Sequence, residues 1–477
     1  MKGKWTSKKL IKLYVPIMSV IAAIMIALFI ATLVFATDDG KNSIISNFLF
    51  GIGGSELSQD TLTAGSELCE EIGRDGTVLL KNSGEKGNKA LPLSDSESAK
   101  VNVFGWAAYD WMTSTFGSGF SNTELEKLKL FPALEKAGIE YNTELYNMYK
   151  DFYTGSIGTQ WSKSDWNEYR GDVAVGSTKK FILHEPGASY YTDSVINSTK
   201  AFSSVALVVI GRTGGEAADL RLYQEKQIQS NGSSSTVRDD SRTYLQLSVE
   251  EEQMIDAAAR ACEKVIVVLN VSNTMELGFI DDERIDAALL SGLTGMNGVN
   301  GVIDILRGKD RDGNVVSPSG RTADTYAYDI DSAPSSVNSG YGGALKYTGL
   351  ATSGSYTKGY YDAYIDYHEG IYVGYRYYET AAEEGYINYD ETVQYPFGYG
   401  LSYTEFEYSI DKLVINGEQT EIADSLALGG NDKIELFVNV KNVGDVAGRE
   451  VVQLYYTAPY ISGGIEKSHV VLGDFAK

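Results

Sequence analysis

The stretch Gly211-Arg212-Thr213-Gly214-Gly215-Glu216-Ala217-Ala218-Asp219 places glycines and two carboxylates directly behind an apolar run. That run, Val205 to Ile210, is apolar at every position, as a strand buried on both faces must be. Ligands of open α/β sheets bind beyond the carboxyl ends of the strands, and the loop after Ile210 lies there. Gly214 and Gly215 let the backbone approach a ligand with no side chain in the way. Glu216 and Asp219 bring carboxylates that can carry a proton or simply be solvated. On residue type alone, solvation is the commoner fate of a glutamate that follows a strand. The glycines superficially resemble a phosphate loop, but the Gly-Lys-Ser/Thr ending that supplies the phosphate-binding lysine is absent, which argues against nucleotide binding. His184, His368 and His469 are far apart, and neither Cys69 nor Cys262 has a second Cys or a His at zinc-ligand spacing, so no metal site is expected.

The elements that would hold this loop alternate between strand and helix. Val101 to Phe104, Val205 to Ile210 and Val265 to Val271 read as strands of a parallel sheet covered by helices. Ser248 opens a helical stretch through Lys264, with Glu251 at capping-box spacing and Met254, Ile255 and Ala258 at helical intervals. The alternation predicts an α/β sandwich over residues 61–345. Residues 346–403 are crowded with Tyr and Gly and read as an ordered connector, in which Glu369 and Arg376 are expected to form an ion pair. Beyond it, Ile434 to Val440 and Val451 to Tyr456 alternate like strands joined by a turn over Asn442 to Gly448, so residues 404–477 read as a β-sandwich cut short. Cys69 and Cys262 fall in helical segments and are expected as small hydrophobes, not as a disulfide.

With 477 residues, two or more domains are expected. The net charge of -23 disfavours nucleic acid as a partner, because phosphate binding is driven by Lys and Arg. The 33 tyrosines hint at stacking on sugar rings, although an aromatic core accounts for most of them. At the amino terminus, Lys2, Lys4, Lys8, Lys9 and Lys12 precede an uncharged run from Leu13 to Ala36. Its length predicts a transmembrane anchor over residues 13–36, with a cytoplasmic tail over 1–12, a stalk over 37–60 and the bulk of the chain extracellular. A cleaved signal peptide fits less well, since the run is long and Val34-Phe35-Ala36 is a poor cleavage site.

Several strings are more specific than composition. Tyr367-His368-Glu369-Gly370-Ile371-Tyr372-Val373-Gly374-Tyr375-Arg376-Tyr377-Tyr378 and Tyr395-Pro396-Phe397-Gly398-Tyr399-Gly400-Leu401-Ser402-Tyr403-Thr404 together resemble family 3 glycoside hydrolases of the β-glucosidase type. Gly448-Arg449-Glu450-Val451-Val452-Gln453-Leu454-Tyr455 resembles that family's fibronectin type III-like domain. Val78-Leu79-Leu80-Lys81-Asn82, Leu91-Pro92-Leu93 and Pro318-Ser319-Gly320-Arg321 are similar to segments of its α/β sandwich domain. The resemblance covers residues 61–477 in consistent order. It implies a three-layer α/β sandwich, then an incomplete fibronectin type III-like β-sandwich, preceded here by the one transmembrane helix.

It also implies a chemistry. Members of the family are retaining glycosidases, which use one carboxylate as nucleophile and a second as acid/base. The loop at 211–219 resembles the family's Gly-Glu-Gly-x-Asp segment, with Ala217 in place of the second glycine. This assigns Glu216 as the acid/base and Gly214, Gly215 and Asp219 to the substrate, Asp219 chiefly by shaping the loop. Gly117-Ser118-Gly119 resembles a glycine-rich loop near the sugar. The order sandwich-first matches a subset in which the barrel bearing the nucleophilic aspartate comes later, so the barrel is expected downstream or from a partner chain. The expected substrate is an oligosaccharide or β-glucoside, and no cofactor is implied. The alternative is a non-catalytic surface protein that binds carbohydrate or another partner.

Overall fold

The computed structural model describes residues 58–84, 88–115, 127–157, 181–215, 220–230, 233–338, 345–346, 363–364, 366–423 and 428–477. The chain divides into two compact units, Met1–Gly65 and Ser66–Lys477. In the first, the described residues form the start of helix α1 (Gln59–Gly76); the rest of that helix and all that follows belong to the second.

The expected transmembrane helix is corrected. Among the described residues no helix is long and apolar enough to cross a membrane. The longest, α1, has 18 residues and carries Asp60, Glu67, Glu70, Glu71, Arg74 and Asp75, charges that a bilayer core would not solvate. The tail, the span at 13–36 and the stalk up to residue 57 lie outside the described residues. The fold class is accordingly mixed α/β, with no membrane-spanning helix among the described residues.

The central sheet is built from β1 (Val78–Asn82), β2 (Lys100–Phe104), β3 (Glu140–Tyr141), β5 (Val205–Arg212), β8 (Lys264–Val271) and β9 (Ala287–Leu290); β4 (Ile182–Leu183), β6 (Gln224–Ser230) and β7 (Ser233–Asp239) form a separate small sheet. The order is β1-β9-β8-β5-β2-β3, parallel throughout except for β1 against β9. Both faces are buried, and the alternation along β5 shows how. Val205, Leu207 and Val209 join one core with Leu134 and Phe131 of α4 (Leu130–Lys136) and Val302 and Ile305 of α8 (Val299–Arg307). Ala206, Val208 and Ile210 join the other, with Leu145 and Tyr149 of α5 (Thr143–Ile157), Val195 of α6 (Asp193–Phe202) and Met254 and Ala258 of α7 (Val249–Ala261). Each such Val, Leu or Ile contributes about 1.5–3 kcal/mol relative to an exposed side chain. The short helices α2 (Asp95–Ser98) and α3 (Trp106–Tyr109) flank β2.

Helix α7 starts where its capping box puts it. The Ser248 hydroxyl accepts from Glu251 N, and the Glu251 carboxylate accepts from Ser248 N. Cys69 and Cys262 are both free thiols. No ion pair joins Glu369 to Arg376: Glu369 Oε2 is buried without a hydrogen-bond partner, and the Arg376 guanidinium lies 6.0 Å over the ring of Tyr375, the first residue of α9 (Tyr375–Glu383). The pair's seven-residue spacing carried no geometric constraint once the chain turned at Gly374, whose φ is 57°.

Two short antiparallel pairs follow, β10 (Tyr326–Ala327) with β13 (Val393–Tyr395) and β11 (Leu345–Lys346) with β12 (Ala363–Tyr364). At the carboxyl end, β14 (Phe406–Ile415) pairs antiparallel with β15 (Glu418–Thr420) and β16 (Ile434–Asn442), while β17 (Val452–Tyr456) pairs with β18 (Val471–Ala476). The β14–β15 connection is the two residues Asn416-Gly417, at φ 53° and 87°, the left-handed pair that an Asn-Gly hairpin turn requires. Tyr408 and Ile410 on β14, Phe437 and Val440 on β16, Leu454 and Tyr456 on β17 and Phe475 on β18 are all exposed.

Candidate functional site

Because β2, β5, β8 and β9 run parallel, the segments that follow them emerge at one edge of the sheet. Side-chain bonds then tie these segments together. After β2, the backbone of Met112 exchanges two hydrogen bonds with Asn270 near the end of β8: Met112 N donates to Oδ1 (2.7 Å) and Nδ2 donates to Met112 O (3.0 Å). Asn270 Nδ2 also donates to Gly292 O beyond β9 (2.7 Å). Trp111 Nε1 donates to Thr294 Oγ1 (2.8 Å), joining the same two segments. Asn270 is fully buried, and its amide is satisfied only by this geometry.

The stem of the loop after β5 is held from below by Arg212. Its guanidinium is buried and makes a paired contact with Glu251 of α7, Nη1 to Oε1 and Nη2 to Oε2, both at 2.7 Å. The remaining N–H groups reach backbone carbonyls: Nε to Tyr244 O (2.6 Å), Nη1 to Gly211 O (2.8 Å) and Nη2 to Gln246 O (2.7 Å). All five guanidinium donors are therefore used. Burial works against the charge of Arg212, but the adjacent Glu251 carboxylate more than offsets it and holds the group above its ordinary pKa. Thr213 N donates to the Tyr244 hydroxyl (2.9 Å); burial raises that phenol to about 12.

Gly211 and Gly214 are glycines for reasons of space. A Cβ on Gly211 would lie 2.6 Å from Ala107 Cβ of α3, with Trp106 and Met112 close behind. On Gly214 it would fall on Asn273 Oδ1, inside contact distance. Gly214 O accepts from the hydroxyls of Thr115 and Ser272, and Ser272 Oγ is 3.0 Å from Asn273 Oδ1. Asn273 Nδ2 is buried without a hydrogen-bond partner. Gly214 is buried and Gly215 half-buried. The structure thus places two of the expected site residues, Gly214 and Gly215, at the carboxyl edge of the sheet. Glu216 and Asp219 lie outside the described residues, as does Gly117-Ser118-Gly119. The chain is described again from Leu220; Arg221 packs over the Phe181 ring at 5.4 Å, and that ring meets Tyr244 edge-on at 5.3 Å.

Sequence reasoning overlooked Asn270, Asn273, Tyr244 and the partnership of Arg212 with Glu251. Asn270 had a signal: it is the one polar residue in Val265-Ile266-Val267-Val268-Leu269-Asn270-Val271, a strand with no solvated face. Among the described residues, no group of three or more His, Cys, Asp and Glu side chains converges as metal ligands would.

The sequence profile of the glycosyl hydrolase family 3 C-terminal domain matches residues 77–403. This chain belongs to glycosyl hydrolase family 3. A β-glucosidase of Ruminococcus albus is 29% identical over 415 residues, covering 86% of this family 3 chain and 34% of its own length. Beta-glucosidase A of Butyrivibrio fibrisolvens is 29% identical over 430 residues, covering 86% and 43%. Among solved structures, β-glucosidase 3B of Thermotoga neapolitana in complex with α-D-glucose matches with a TM-score of 0.60 at 26% identity, over 88% of this chain and 47% of that one. The family 3 chain thus spans less than half the length of each of these relatives.

Proposed function

We propose that this family 3 chain forms part of an exo-acting β-glycosidase that removes terminal glucose from β-glucosides by the retaining, two-carboxylate mechanism. Glu216 is the acid/base: it protonates the leaving oxygen in the first step and activates water in the second. The nucleophilic carboxylate comes from the family's barrel and not from these residues. Gly215, half-buried, gives the sugar access to the loop, Gly214 lets the loop pack against Asn273 beneath it, and Asp219 shapes it. One observation carries the reading: the stem Arg212–Gly215 is fixed at the carboxyl edge of the sheet, so residue 216 follows directly from a ligand-binding position in an α/β fold. The β-glucosidase relatives supply the substrate class.

The test is Glu216→Ala in a preparation that includes the barrel. Hydrolysis of a β-glucoside with a poor leaving group should fall by a factor on the order of 100 to 10,000, the usual worth of general acid catalysis. An activated aryl glucoside, whose leaving group needs little protonation, should lose far less. Equal losses on both substrates would remove Glu216 from the acid role.

A further inference from the structure

A second carboxyl group lies near the same edge of the sheet, buried, and none of the chemistry above uses it. Glu185 follows β4 and is 3% exposed. Its Oε1 is 2.8 Å from the Tyr149 hydroxyl and 2.6 Å from that of Tyr191, and the two hydroxyls are 2.6 Å from each other. Its Oε2 accepts from the backbone N–H of Trp106 at 3.1 Å.

Counting protons decides the state of this triangle. Three oxygen–oxygen contacts at 2.6 to 2.8 Å each need a proton between them. The two phenols bring two. An ionised carboxylate brings none, and one contact would then set lone pair against lone pair in a site that water does not reach. A carboxylic acid brings the third proton and closes the ring, while its other oxygen still accepts from Trp106.

We propose that Glu185 is a positioning residue for the candidate site that works as a neutral carboxylic acid, closing a three-proton ring with Tyr149 and Tyr191 and anchoring Trp106. The consequence reaches the site through the chain that starts at Trp106. Trp106, Ala107 and Met112 wall Gly211, Met112 is bonded to Asn270, and the Thr115 hydroxyl donates to Gly214 O. Glu185 therefore holds residues 105–115 against the stem of the Glu216 loop. Its purpose rests on the catalytic reading of that loop; the ring itself does not.

The surroundings agree with a neutral acid. Burial raises Glu185 to about 8 against the hydrogen bonds from Tyr191, Trp106 and Tyr149, and the Glu251 carboxylate pushes the same way as burial. Both phenols are raised well above their ordinary values, chiefly by burial. His184, beside it, is lowered to about 4 by burial, with Asp110 opposing, so it carries no charge at neutral pH. The Glu251 carboxylate that acts on Glu185 is itself paired with Arg212. Phe104 of β2 covers the Tyr191 ring at 6.2 Å.

Two variants of the full chain separate a neutral acid from a carboxylate. Glu185→Gln supplies N–H protons without titrating, whereas Glu185→Leu supplies neither donor nor acceptor. The infrared difference between wild type and Glu185→Gln should show the carbonyl stretch of a protonated carboxylic acid at pH 7, disappearing above about pH 8. Amide exchange of peptides covering residues 105–115 should stay within about twofold of wild type in Glu185→Gln and quicken at least tenfold in Glu185→Leu, with β8 unchanged. Above about pH 8 the wild-type segment should loosen and the Gln variant should not. No acid band at pH 7, or a Gln variant as loose as Leu, overturns the proposal. If the Leu variant does not fold, the infrared band and the Gln variant decide it. Because neither readout uses turnover, failure of the catalytic reading leaves this result standing, and the reverse also holds.

Discussion

Replacing Arg212 by methionine should destabilise the family 3 chain severely, and the cost follows from what the guanidinium touches. Arg212 and Glu251 are 0% and 1% exposed. Removing one member of a buried, hydrogen-bonded ion pair costs about 3–5 kcal/mol, because the other charge is left without a partner. Tyr244 O also loses the Nε donor 2.6 Å away, whereas Gln246 O keeps a second donor in Gln224 Nε2. The loss therefore belongs at the upper end, about 5 kcal/mol, comparable with the whole stability of many domains. Adding Glu251→Leu removes the stranded carboxylate. It also breaks the capping box of α7, at a cost of about 1 kcal/mol. The double variant should still be more stable than Arg212→Met alone by about 2 kcal/mol, since apolar replacement of a whole buried pair is tolerated far better than half of it. Urea unfolding followed by circular dichroism, with midpoints compared at a common slope, measures both differences. A double variant whose loss equals the sum of the two single losses would show that the pair is not coupled and would refute this reasoning.

Two further outcomes follow from the same edge of the sheet. Gly214→Ala drives a Cβ into Asn273 Oδ1 and should lower stability by about 1–3 kcal/mol, read as a fall in Tm; adding Asn273→Ala should recover much of it, and no recovery would place the strain elsewhere. His184 is neutral in the fold, with its pKa lowered from 6.5 to about 4 by burial, so the unfolded chain binds the proton first on acidification. Its contribution is present above pH 6.5 and is lost as pH falls towards 4, amounting to roughly 3 kcal/mol. Unfolding profiles of wild type and His184→Gln over that window should converge at the acid end, and parallel profiles would contradict the assignment.

What was legible in advance depended on range along the chain. Strand β5 and its neighbour β8 could be read because a doubly covered strand has to be almost wholly apolar, a local property. The start of α7 could be read because a capping box spans only four residues, here Ser248 to Glu251. The Asn416-Gly417 turn was equally local and went unread. Arg212 and Glu251 are 39 residues apart, Asn270 and Met112 are 158, and nothing in either neighbourhood announces the other. The ring of Glu185, Tyr149 and Tyr191 has the same origin: its members come from a helix, a strand exit and a helix entry that only the folded sheet brings together. Glu216 and Asp219 owed their assignment to the resemblance of their loop to a family segment; the family is confirmed over residues 77–403. The transmembrane span was inferred from the length of an uncharged run and the lysines before it, and no helix among the described residues bears it out.

The exposed apolar side chains of β14, β16, β17 and β18 bear on how the chain behaves as a colloid. Tyr408, Ile410, Phe437, Val440, Leu454, Tyr456 and Phe475 are adhesive surface on a molecule whose net charge is -23. Repulsion between like-charged molecules keeps such surfaces apart in dilute buffer, but its reach shrinks to about 10 Å at 0.1 M salt and about 3 Å at 1 M. Salt, ordinarily the solvent for an acidic protein's crowding problems, here removes the force that holds the sticky strands at a distance.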